Sequence, residues 1–302
     1  MYKKFLLLIL MATLSLQSKV ITPSDVFAQT QIIEDHIEHL LNYYNIKFDK
    51  QKLKESSKVY ITVKPRDVWQ KTYEIMVKIN MLRVSHKLPA ITPVNMTPVL
   101  NLNPDLVYEQ TQRILTELKI FEYRSDIDTP KYYTQTFKGK IPSDVFNEFG
   151  YISTLLDKLN KSSLTPSYVF AENMRVLDDI GDILQALDIR DDTIPPKKNP
   201  KATPNDTFHI GLKTLQKIRE LQISVGISFV NFENFNKNGV TPSEVFTITQ
   251  MILAELQTIK AFLGIKKVTI PASKYEDKTP VEVDQLMGWN LRKLMLIKSL
   301  IQ

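Results

Sequence analysis

Asp35, His36 and His39 are the residues whose types and spacing come nearest to a chemical site. Positions three and four apart share one face of a helix, so two ligands placed this way could converge on a metal ion. Glu34 and Glu38 make the same stretch acidic, and Ile33, Ile37 and Leu40 run beside it as an apolar seam. The plainer reading is a solvated charged face flanking that seam. Asp35, His36 and His39 stay as the metal candidates of the chain. The corresponding later stretch has Asp178, Asp179 and Asp182 without histidine, which argues against a site shared by both halves.

Other chemistry finds less support. Paired carboxylates could hydrolyse a polymer if the fold brought them together, and Asp178–Asp179, Asp191–Asp192, Glu117 and Glu255 are available. They read as acids on helix surfaces. No serine sits beside an evident base and oxyanion turn. The chain has 8 glycines, none closer together than Gly139 and Gly150. That spacing excludes GxGxxG, the P-loop and GxSxG, which need glycines within one tight turn. With no cysteine, disulfides, thiolate metal sites and iron–sulfur clusters are excluded as well. The expectation is no catalytic residue and no cofactor.

The elements that must position any site come from an internal repeat. A proline-centred motif occurs eight times: ITPSDVF at Pro23, VKPRDVW at Pro65, LNPDLVY at Pro104, KIPSDVF at Pro142, LTPSYVF at Pro166, ATPNDTF at Pro204, VTPSEVF at Pro242 and KTPVEVD at Pro280. Successive prolines lie 42, 39, 38, 24, 38, 38 and 38 residues apart. Each copy predicts a helix start. Thr22, Thr165, Thr203, Thr241, Thr279 or Asn103 takes the N-cap, where its oxygen accepts a backbone N–H. Proline follows at the first helical position, where its missing N–H costs nothing. Asp25, Asp67, Asp144, Asp206, Glu244 and Glu282 can close a capping box and favour the positive end of the helix dipole. Lys64 and Ile141 break the cap, and Leu106 and Tyr168 break the acid position.

From each proline, apolar residues recur near +3, +7, +10, +14 and +17, the seam of a bundle helix. An aromatic residue follows the motif's valine position in seven copies, which reads as core packing. Helices of about 20–24 residues, roughly 30–36 Å, are expected. The 24-residue interval leaves almost no connector between Leu159 and Thr165, so the eight copies divide four and four. Gly150 and Gly288, each eight places after its proline, support that pairing. We read all-α architecture: two tandem, internally duplicated four-helix units at 19–161 and 162–302, built from eight helix-plus-connector repeats of about 38 residues. A continuous solenoid is the competing architecture. Val59, Ile61 and Val63 alternate, and prolines such as Pro89, Pro195 and Pro196 oppose a second long helix in the connectors. The connectors are expected to be extended straps that make the helices of a unit parallel.

Residues 1–18 read as a signal peptide, with Lys3 and Lys4 ahead of an apolar run from Phe5 to Leu16, too short to span a bilayer. No later segment is apolar enough to span one, which points to the periplasm or secretion. The net charge of +6 falls to +4 when Lys3 and Lys4 are removed. Basic clusters at 50–58 and 197–201 read as solvated loops, and nothing suggests nucleic-acid binding. The function expected is a non-catalytic scaffold or adaptor binding a protein or other component of the cell envelope. The alternatives are a small-molecule-binding or sensory bundle, and a hydrolase acting on envelope polymers.

Overall fold

A computed structural model describes residues 20–301 apart from 93, 130, 233–234 and 236–238; the expected signal peptide at 1–18 lies outside the described residues. Every motif proline opens a helix. In chain order these are α1 (Pro23–Tyr43), a short α2 (Lys50–Ser57) in the first connector, α3 (Pro65–Ser85), α4 (Pro104–Arg124), α5 (Pro142–Asn160), α6 (Pro166–Ala186), α7 (Pro204–Ser224), α8 (Pro242–Phe262) and α9 (Pro280–Leu294). The described residues are all-helical except for connectors and two isolated β-bridges.

The acid does most of the capping. Asp25, Asp67, Asp144, Asp206, Glu244 and Glu282 each accept the backbone N–H of their cap residue, at 2.8–3.1 Å. Lys64 and Ile141 therefore retain half of the box. The threonine hydroxyl mainly donates to that carboxylate, as Thr22 and Thr203 do at 2.6 Å; its expected bond from the backbone survives at Thr203 and Thr241, at 3.4 and 3.2 Å.

The helices of each group of four run parallel. Pro23, Pro65, Pro104 and Pro142, with Val26, Val68, Val107 and Val145 one turn on, surround one hole of about 10 Å³. Pro166, Pro204, Pro242 and Pro280 surround a matching hole in the second group. Helix starts thus meet at one end, and connectors of 17 residues or more return along about 31 Å of helix. The neighbour order is the same in both groups: α1–α5–α3–α4 closes a ring, as does α6–α9–α7–α8. The first and second long helices of each group are diagonal.

Parallel packing in register makes layers. The seam residues Val26, Thr30, Ile33, Ile37 and Leu40 of α1 and Val245, Thr249, Ile252, Leu256 and Ile259 of α8 are all within 2% of full burial. At +7 the first group sets Thr30, Thr72 and Thr111 beside Phe149, and the second sets Asn173, Gly211 and Thr249 beside Met287. One large side chain fills the space that three small ones leave, and the threonines donate to their own helix backbone.

The connectors are held as straps. Ser24 accepts the N–H of Lys140 at 3.1 Å, and Ser167 that of Lys278 at 3.0 Å, at matching places in the two groups. Phe27 packs edge-on to Phe137 under Lys140, and Phe170 to Tyr275 under Lys278. A Cβ on Gly150 would meet the Ser57 carbonyl at 3.3 Å, and one on Gly288 would meet Pro196 at 3.1 Å. The two matched glycines let the first connector of each group press against its last helix.

The two groups lie side by side in opposite directions. Arg66, Gln70 and Lys71 of α3 meet Glu255, Gln250 and Thr247 of α8 in that order, so these helices are antiparallel. Aligned dipoles within a group repel, and the reversed second group offsets them. Bridges Thr62–Asn231 and Met96–Thr269 flank the contact. Enclosed by α6, α7 and α3, α8 buries residues around its whole circumference.

Candidate functional site

The metal candidates do not converge. His36 is buried on α1, with Nδ1 2.8 Å from Glu122 Oε1 on α4, and Thr129 donates to the other Glu122 oxygen at 2.8 Å. His39 Nε2 lies 2.9 Å from the Asp128 carbonyl, and the backbone oxygen of Asp35 accepts from Tyr132. Among the described residues no three His, Cys, Asp or Glu groups could hold a metal ion together. The expected solvated face is corrected: Glu34 and His36 are both buried.

A buried polar pair at matching positions replaces it. His36–Glu122 joins +13 of the group's first helix to +18 of its third, and Asp179–Lys260 does the same in the second group, with Lys260 Nζ 2.6 Å from Asp179 Oδ1. The acid has changed helix. Thr269 and Gln257 also donate to Asp179. Glu117 and Glu255, at +13 of α4 and α8, bind Arg83 and Gln222 respectively, each at +18 of the neighbouring helix. Acids read as surface groups are the polar joints of the bundle.

The basic cluster at 50–58 is likewise corrected from a solvated loop. It forms α2, whose Lys50 reaches Glu34 and Glu38 at 2.7 and 2.9 Å and whose Lys54 reaches Glu34 and Glu148 at 3.0 and 3.3 Å. Burial pushes the Glu148 carboxyl up, joined by its hydrogen bond to Glu34 and the charge there, to about 7. Burial opposes ionisation of Glu34 too, but the bonds to Glu148, Lys50 and Lys54 hold it at about 2.

Where α2 ends, a cavity of about 240 Å³ opens between the two groups. Lys71 and Glu74 enter it from α3, Ser153, Thr154 and Asp157 from α5, and Ser243, Glu244 and Thr247 from the first turns of α8; Phe146 and Phe235 supply rings. Lys71 Nζ donates to Glu74 at 2.6 Å and to Thr247 at 2.9 Å. Ser153 donates to the other Glu74 oxygen at 2.5 Å. Burial would raise Glu74, but Lys71 and Lys78 and these hydrogen bonds hold it at about 2. Burial raises Asp157 against the pull of Lys78. Ser243 Oγ is buried with no hydrogen-bond partner among the described residues.

Ser153 Oγ lies 2.7 Å from Lys78 Nζ, a distance at which a serine–lysine pair could act as nucleophile and base. The setting does not suit that chemistry. Lys78 is committed to Asp157 at 2.7 Å, with Glu74 at 3.7 Å. Ser153 stands inside α5, whose backbone N–H groups are spent on the helix rather than free as oxyanion donors.

A second concavity, an open groove of about 630 Å³, runs along α9, where Ile194, Ile210, Leu291 and Met295 alternate with Lys197, Lys213 and Arg292. Prolines and valines, with Thr207 in the second group, line the holes at the helix starts. Trp289 donates to Thr193 at 3.1 Å under Lys293, which ties a strap down. Among the described residues no helix is long and apolar enough to cross a membrane. The chain matches no family model, no curated protein and no solved structure.

Proposed function

We propose that the chain is a non-catalytic binding protein, exported by its first 18 residues, and that its working site is the seam between the two helix groups. The observation that carries this reading is the polar cavity of about 240 Å³ between the two groups. The cores of both groups leave holes of only about 10 Å³ at the helix starts, so a ligand inside either bundle has less support than one between them. Native mass spectrometry of protein purified from its own host tests the reading. A small co-purifying mass, lost in Ser243→Leu and Thr154→Leu variants, is expected; a bare wild-type chain would overturn it.

The adaptor reading keeps one supporting observation, the groove along α9 with its apolar floor and basic rim. A protein-sized adduct that disappears in Leu291→Asp, with the cavity variants still carrying it, would move the working site there.

A further inference from the structure

Whatever the seam cavity holds, we infer that the chain assembles head to tail with further copies of itself, the outer face of α4 in one copy docking in the groove between α7 and α9 of the next. The seam inside the chain is the template. There the second long helix of the first group, α3, packs against the third of the other, α8, with Arg66, Gln70 and Glu74 meeting Glu255, Gln250 and Thr247. Such a joint uses a different face of each group, so it leaves one face of each kind over. Among the described residues, α4 and α7, the helices that carry the leftover faces, contact only long helices of their own groups. Glu109 and Gln112 on α4 match the buried Thr247 and Gln250, and Asn205 and Lys213 on α7 match the buried Arg66 and Glu74, yet all four are exposed.

The groove along α9 matches one wall of the seam cavity position by position. Counted from the motif prolines, Ile210, Lys213, Leu291 and Met295 stand where the first group has Lys71, Glu74, Ser153 and Asp157, and each set lines its own concavity. The first wall is polar and is covered by the polar start of α8, from Ser243 to Thr247. The second wall is open; its floor is apolar, and Lys197, Lys213 and Arg292 outnumber Asp192 and Asp284 along it. The helix start that the template sets over it has changed in the same sense. Asp105, Leu106 and Glu109 of α4 stand where α8 has Ser243, Glu244 and Thr247. Leu106 replaces the motif's acid and is 42% exposed, outside the core of its own group. Seated as α8 is seated, Leu106 meets Ile210, Leu291 and Met295, and Glu109 meets Lys213. Apolar surface then faces apolar surface and acid faces base, the complementarity that fixes partner and register. Successive groups also go on alternating in direction, which offsets their helix dipoles as it does within the chain.

Sedimentation velocity of the full mature chain, from micromolar to millimolar concentration, tests the inference. Mass is expected to grow with concentration past the dimer, because a head-to-tail joint leaves one face open at each end. Leu106→Glu, which puts back the motif's acid, blocks the α4 face; Met295→Asp, at an exposed position, blocks the groove. Each is expected to weaken association about tenfold or more, with circular dichroism and melting temperature like those of the wild type. Mixed in equal amounts, the two variants hold one intact groove and one intact α4 face between them, so they are expected to form a heterodimer that grows no further. A wild-type chain that stays a monomer, or stops at a dimer, overturns the inference. So does a folded variant that associates like the wild type, or a mixture that gives no heterodimer. Each of these failures leaves the seam cavity, which lies on another face, as it was.

Discussion

Arg66 and Glu255 form a two-bond ion pair across the seam, Nε to Oε1 at 2.7 Å and Nη2 to Oε2 at 2.9 Å. In the first group the matching acid, Glu117, takes its arginine from its own group, Arg83 at 2.7 Å. In the second, glutamine stands where Arg83 would be, and the guanidinium arrives from α3 of the other group. A joint internal to one bundle has become the joint between two. Arg66 also donates to the Ser228 carbonyl at 2.6 Å, which fixes the α7–α8 connector to the same point.

Removing one member of that pair leaves the other buried and uncompensated. Arg66→Met is expected to cost about 3–5 kcal/mol in urea unfolding of the whole chain. Replacing both, with Arg66→Met and Glu255→Leu, should recover much of the loss, because the desolvation of both charges is removed together. A double variant as unstable as the single one would sink this account of the seam.

Lys260 is completely buried against Asp179, and the same carboxylate holds Thr269, whose backbone bridges Met96 of the other group. Lys260→Met is expected to lower stability by about 3–5 kcal/mol. The bridge should loosen with it. Hydrogen exchange should quicken at the Met96 and Thr269 amides in this variant, while Asp188, beyond the end of α6, is unaffected. Unchanged exchange at the bridge would separate the ion pair from the strap.

Much of this architecture is legible along the chain because it is local. A proline at the first helical position specifies a helix start without reference to anything distant; eight such starts appear, six of them with an acid two places on. The short interval before Thr165 forces a turn, and the paired Gly150 and Gly288 mark where straps must come close. The site is harder to read. Glu34, His36, Asp179 and Glu255 carry the composition of a solvated face, and what buries them is a partner on another helix, 86 residues away for His36 and 189 for Glu255. Nothing in the spacing of Lys54 names Glu148 as its target. The cavity is assembled from helices of both groups, and Ser243, which lines it, is an ordinary second residue of a helix.

The straps make a prediction of their own. Gly150→Leu and Gly288→Leu each put a side chain where a connector lies, at about 1–3 kcal/mol for overpacking, offset by roughly 1 kcal/mol of better helix propensity. Stability should change little, but the strap should lift. Trypsin is expected to cut faster after the lysines at 50–58 in Gly150→Leu and after those at 197–201 in Gly288→Leu, each variant leaving the other segment as resistant as before. Uniform acceleration at both would mean general loosening instead.

The acid pair beneath α2 sets a pH dependence whose sign is fixed by which carboxyl is raised. Glu148, pushed to about 7 by burial and by Glu34, binds a proton in the folded chain that the unfolded chain releases near 4.5. Its contribution is therefore present below about 4.5 and is lost as pH rises through 7. Glu34, held at about 2, works in the other direction: its contribution is present above about 4.5 and is lost as pH falls towards 2. The groups facing the pair are Lys50 and Lys54 from α2 and Glu38 from α1. Melting temperature measured from pH 5 to pH 8 should fall across the upper half of that range. Glu148→Gln keeps the hydrogen bond to Glu34 without a titrating proton, so its curve should be flatter there, crossing above wild type near pH 8. A wild-type curve that rises towards pH 8, or a Gln variant that falls as steeply, would show that the two carboxyls do not share a proton under α2.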